Sequence, residues 1–175
     1  MGESRALASQ ILSKLDEQIE RTEHLIALIP PDKLEWKPQP ESFRVCDLLG
    51  HLLECLAGFC ATLYAINPDE LGRFARLREL RVNHCCGIEE AALRIGEYRD
   101  HITQGFGALS DQDLSRQIPT VFVQEGEAAL TLLLGNLEHL INHKHQLFSY
   151  LKQLGVRVET RDLYRFRVEP QRETT

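Results

Sequence analysis

Three histidines carry the chemistry available to this chain. His139 and His143 stand four residues apart in a leucine-rich segment that ends YLKQLG, and His51 lies earlier, in DLLGHLLECLAGF. Positions i and i+4 of a helix share a face, so His139 and His143 can aim both rings at one point. A third imidazole from a neighbouring helix completes a three-nitrogen set with one open position, the pattern a catalytic divalent metal uses. Neutral imidazoles leave the ion's double charge uncompensated. Such a centre brings the pKa of a bound water down towards ~7 and equally favours a bound thiolate. Two chemistries follow: metal-assisted hydrolysis, and transfer of a low-molecular-weight thiol onto an electrophile. The zincin pattern HExxH is excluded, because the segment reads HLINH with Leu140 where the glutamate base belongs.

Residues near these histidines are candidates for supporting roles. Glu54, three residues after His51, could orient a ligand or shuttle a proton, although most helix glutamates are simply solvated. Asp47, one turn before His51, has the same standing. Cys55, one turn after it, reads first as a small core residue and second as a fourth ligand. Gln146 and Asn142 could hydrogen-bond ligands or substrate. Trp36, in the rigid Trp36-Lys37-Pro38 stretch, reads as an anchor for the first interhelical loop. His24 and His145 have no partner at useful spacing and read as surface residues; His101 is equally bland, and His84, beside Cys85 and Cys86, could bind a soft metal only with a second ligand pair that the sequence does not offer.

The elements that must position these groups are four long helices. Leu7, Ile11, Leu15, Ile19, Thr22, Ile26 and Ile29 recur at steps of three and four, which predicts a helix over 4–29 stopped by Pro30 and Pro31. Val45, Leu48, Leu49, Leu52, Leu56, Phe59, Cys60 and Leu63 predict a second over 43–66 with Ser42 as N-cap. A shorter helix is expected over 69–82, a third long one over 88–109, and a fourth over 127–154 ending at Gly155. On the fourth, Leu130, Leu134, Leu137, Ile141 and Phe148 form the expected core face, with the histidines on its flank. Cys55, Gly58 and Thr62 are small and are expected to leave room for a pocket beside His51. Thr120 to Val123 reads as weakly extended. The fold class is all-α, a four-helix bundle over 1–155 with a tail over 156–175.

Composition narrows the partners. A net charge of −6 supplies no basic excess for a phosphate backbone, so no nucleic acid is expected. No run approaches 18 uncharged apolar residues, so no membrane span is expected either. Five cysteines, an odd number without a CxxC pair, point to reduced thiols and a cytoplasmic location.

Two stretches, LEWKPQPESFRVCDLLGHLLE and NLEHLINHKHQLFSYLKQLG, together with the order and spacing of the helices, resemble the DinB-like superfamily of four-helix metal-binding proteins. The resemblance implies an up-down-down-up bundle and a metal triad at His51, His139 and His143, with Gln146 matching the family's glutamine. The chain departs from the pattern at Lys144-His145, where arginine-glycine is usual. Members are often homodimers, and they include thiol-dependent transferases and isomerases beside proteins called hydrolases. The resemblance therefore implies a divalent cofactor, zinc or nickel first, and a small-molecule substrate that includes a low-molecular-weight thiol. The alternative it leaves open is a non-catalytic, stress-linked metal-binding or dimerisation bundle.

Overall fold

The structure is a computed structural model, described here for residues 4–68, 84–120 and 123–165. Four long helices dominate it: α1 (Ala6–Ala27), α2 (Val45–Ile66), α3 (Ile88–Gly107) and α4 (Ala129–Gln153), followed by a single turn, α5 (Thr160–Leu163). Short 3-10 turns occur at Pro31–Lys33 and Asp113–Ser115. The expected helix over 69–82 lies outside the described residues.

The apolar stripes dictate the packing. α2 is the most apolar helix and buries residues around nearly its whole circumference, among them Leu48, Leu49, Leu52, Leu53, Leu56 and Phe59. It packs against both α3 and α4, while α1 closes the other side of those two. α1 and α2 are thus diagonal partners. Side-chain pairs fix the directions. Arg5 reaches the carbonyls of Phe106 and Leu109, and Arg99 pairs with Asp16, so α1 and α3 are antiparallel. The Cys86 N–H bonds to Cys46 O at the start of α2, while Gly105 abuts Leu63 near its end, so α2 and α3 run parallel. His51 meets His143, and Thr62 meets Asn136, so α2 and α4 are antiparallel. The result is the up-down-down-up bundle. By length and composition α2 could cross a membrane, contrary to the sequence expectation. Its burial among α3 and α4 is the reason it is so apolar.

Several local expectations need correction. Ser42 does not cap α2. Arg44 is the N-cap and makes no side-chain cap bond, because the first N–H groups, of Val45 and Cys46, are taken by the carbonyls of Trp36 and Leu34. α4 begins at Ala129, since Glu127 and Ala128 pair as a short strand with Gln117 and Ile118. Only Thr120 and Val123 of the expected extended stretch are described, and the Thr120 N–H bonds to Val123 O. The core face of α4 is Leu133, Leu140, Leu147 and Leu151, and Leu134 is 47% exposed. Five leucines between 130 and 137 make two helical faces equally apolar, and only contact with α2 selects one. Gly155 does end α4. At φ +81 it lets the Val156 and Gly155 N–H groups bond to the Leu151 and Lys152 carbonyls.

The segment after α4 folds back onto the bundle. Val158 and Leu163 are buried, Asp162 accepts a 2.8 Å bond from the His24 ring, and the Lys144 ammonium, itself buried, donates to Leu163 O (2.8 Å) and Gln18 Oε1 (2.6 Å). His24 is therefore not a free surface residue.

Candidate metal centre

His51 enters from the second turn of α2, and His139 and His143 enter from the facing stretch of antiparallel α4. Their ring nitrogens converge: His51 Nε2 lies 3.2 Å from His139 Nε2 and 3.0 Å from His143 Nε2. The ring centroids are 4.3–5.0 Å apart and the rings are steeply inclined to each other. The other nitrogens are engaged. His51 Nδ1 is 2.8 Å from Glu54 Oε2, and His143 Nδ1 is 2.9 Å from Gln146 Oε1. Both partners are acceptors, so each Nδ1 carries the proton and each Nε2 presents a lone pair. Two lone pairs at 3.0 Å repel one another unless a cation stands between them. Three nitrogens bound tetrahedrally at about 2.05 Å would be separated by about 3.3 Å, within a few tenths of the spacings present. The donor set and its geometry thus fit a divalent ion, and these three histidines form a group able to hold one.

A hydrogen-bonded chain fixes this arrangement. Gln146 Nε2 donates to Tyr150 Oη (3.0 Å), and Tyr150 Oη donates to Phe43 O (3.2 Å). The Phe43 ring then lies tilted against His51 (5.2 Å) and meets His143 edge-on (6.3 Å). Trp36 packs edge-on against Tyr150, which agrees with its reading as a loop anchor. Burial, and secondarily the neighbouring imidazoles, hold His139 and His143 below the usual histidine range, which favours the neutral form a metal requires.

The remaining candidates fall into place by what they touch. Glu54 and Gln146 contact His51 and His143 respectively and so orient their rings. Asp47 faces away, gripped by Arg44 at 2.6 and 2.8 Å, a contact that holds its carboxyl below the usual range. Cys55 is buried, and burial pushes its thiol up to about 12, as expected of a core residue. Asn142 is exposed. The expected pocket beside Gly58 and Thr62 is filled by Asn136, whose amide bonds to Thr62 Oγ1 at 3.2 Å and touches the space a Cβ on Gly58 would occupy. A cavity of about 510 Å3 lies elsewhere, between Ile66 and Arg116 at the other end of α2, about 22 Å along the helix from His51. Phe43 and Tyr150 were not assigned roles by sequence reasoning. Tyr150, one turn beyond Gln146, carried a signal, whereas nothing in the sequence places Phe43 against the rings.

A four-helix bundle with three imidazoles converging between α2 and α4 defines a class of helical proteins able to hold a metal ion. A family model described as the DinB superfamily matches residues 14–147, and the chain belongs to that superfamily. Among solved structures, a DinB-like protein from Bacillus subtilis, YjoA, aligns with a TM-score of 0.69 at 20% identity, covering 89% of this chain and 99% of its own. That likeness speaks for the shared fold. No curated protein matches the chain.

Proposed function

We propose that this protein is a metal-dependent enzyme acting on a small molecule, in which His51, His139 and His143 hold a divalent ion, zinc or nickel first. The supporting observation is the convergence of three Nε2 atoms whose distal nitrogens are, for His51 and His143, already bound to acceptors. A divalent ion there supplies Lewis acidity that ionises a water or a small thiol near neutral pH. The protein's own residues do the rest. Glu54 and Gln146 keep two rings in the ligating tautomer, Tyr150 holds Gln146, and Phe43 shields one side of the cluster from water. Carboxamide and carboxylate are both spent on orientation, so among the described residues neither would serve as a general base, and a bound divalent ion would supply the activation of the nucleophile. Hydrolysis and S-transfer of a low-molecular-weight thiol are the two reactions compatible with this design.

Metal analysis of purified protein, wild type against His51→Ala, tests the reading. The expected result is close to one divalent ion per chain in the wild type and loss of it in the variant. Equal metal content in the two, or none in either after reconstitution with zinc and nickel, would reject the site. Incubation of the loaded protein with a thiol and a chlorinated aromatic electrophile, and separately with ester and amide substrates, then separates the two reactions.

A further inference from the structure

A second reactive pair lies outside the histidine cluster. Cys46, the second residue of α2, is fully buried; Cys85, 39 residues later and just before α3, is exposed; the two are joined as a disulfide. The bridge corrects the expectation of reduced thiols: the odd count and the lack of a CxxC pair say nothing of two cysteines 39 residues apart. Glu35 Oε1 stands 3.7 Å from Cys46 Sγ and 3.9 Å from Cys85 Sγ, and its other oxygen is held by Arg44 at 2.7 Å. The neighbouring backbone is seated firmly: the Cys86 N–H bonds to Cys46 O at 3.2 Å, and the His84 backbone lies directly against Gly50. The other three cysteines, Cys55, Cys60 and Cys86, are buried, and burial pushes their thiols up to about 12, 12 and 11.

We propose that Cys46–Cys85 is a thiol–disulfide exchange site for low-molecular-weight thiols, entered only through Cys85. Exposure sets the direction of attack. An incoming thiolate can reach Cys85 Sγ and not Cys46 Sγ. It forms a mixed disulfide at Cys85, the Cys46–Cys85 bond breaks, and its electron pair leaves on Cys46 Sγ. That sulfur lies in the first turn of α2, beside the Arg44 guanidinium, which pairs with Glu35 and Asp47 and offsets their carboxylates. A second thiol molecule then displaces Cys85. The balance is one protein disulfide plus two small thiols going to two protein thiols plus one small disulfide, a two-electron exchange. The reverse direction oxidises the pair at the expense of a small disulfide. Opening the bridge removes the covalent tie between the 84–86 backbone and α2, about one and a half turns before His51.

The test uses the full chain in mixtures of glutathione and glutathione disulfide, quenched by acid, alkylated and read by mass spectrometry. Expected is a single two-electron transition from three to five alkylatable thiols, with Cys55, Cys60 and Cys86 unaffected by the redox buffer. Wild-type protein quenched early in reduction should carry glutathione on Cys85 in preference to Cys46 by more than about tenfold. Cys46→Ala should trap the adduct on Cys85, and Cys85→Ala should give none on Cys46. The same transition is expected in His51→Ala, which separates this site from the metal centre. A bridge that stays closed until the protein unfolds, a pair that stays reduced in glutathione disulfide, or an adduct that maps equally to both sulfurs would each overturn the proposal.

Discussion

Substituting Glu54 by glutamine isolates what a charged partner contributes to the cluster. The side chain keeps an acceptor oxygen, so the 2.8 Å contact to His51 Nδ1 can persist while the negative charge is lost. A hydrogen bond to a charged group is worth ~1.5–3 kcal/mol against ~0.5–1.5 for a neutral one. The Glu54 side chain is 37% exposed, and solvent screening keeps the difference at the lower end. A loss of about 1 kcal/mol corresponds to about a fivefold weaker affinity for zinc. Glu54→Ala removes the acceptor and should cost about 10- to 100-fold, the usual range for a lost outer partner of a ligating histidine. The mirror change, Gln146→Glu, places a charge on His143 Nδ1 and should strengthen binding by a similar single-digit factor. Competition against a chromophoric zinc chelator at neutral pH measures all three, with thermal melts of the apo proteins as the control for folding. Affinities for Glu54→Gln and Glu54→Ala both within about twofold of wild type would refute a role for Glu54 in orienting His51.

Further outcomes are expected elsewhere. Gly50→Ala should lower the melting temperature by roughly 2–10 °C, because the added Cβ overlaps the His84 carbonyl and lies 2.8 Å from its amide nitrogen, an overpacking cost of ~1–3 kcal/mol; an unchanged melt would show that the 84–87 backbone is not fixed there. In the metal-free protein, stability should fall with acid. His139 and His143 have folded values below the unfolded one, so the unfolded chain takes up protons first, and the loss begins as pH drops through ~6.5 and continues towards the folded values. Urea midpoints in chelator across that range measure it, and a flat profile would contradict it. Lys144→Met keeps the bulk but leaves Leu163 O and Gln18 Oε1 without their donor, at ~1–3 kcal/mol. Faster tryptic cleavage at Arg157 and Arg161 is the expected readout, and unchanged cleavage would mean that other contacts hold the segment.

Much of the bundle is legible in the sequence because its information is periodic. Every residue of the predicted α2 stripe is buried, although Leu53, Cys55 and Ile66 outside it are buried too, and the prolines and Gly155 mark where helices stop. The meeting of His51 with His139 and His143 follows from a four-residue step and a family pattern. What escapes is set by contacts across the chain. The Ser42 cap fails because backbone carbonyls at 34 and 36 reach α2 first, a loop conformation that no local signal encodes. The leucine run of α4 supports two faces until α2 chooses between them. The small side of α2 looks like a pocket until Asn136 from the opposite helix fills it. Cys46 and Cys85 pair only because α2 and α3 run parallel, which brings both helix starts to one end of the bundle.

Lys144 replaces the family's usual arginine and sits next to His143, roughly a quarter turn around the same helix axis. One residue is oriented towards the imidazole trio and the other clamps the returning C-terminal segment. α4 therefore ties the two faces together through adjacent residues. His139 shares α4 with His143, so the grip on Leu163 and the placing of two of the three imidazoles opposite His51 both depend on how this one helix is seated.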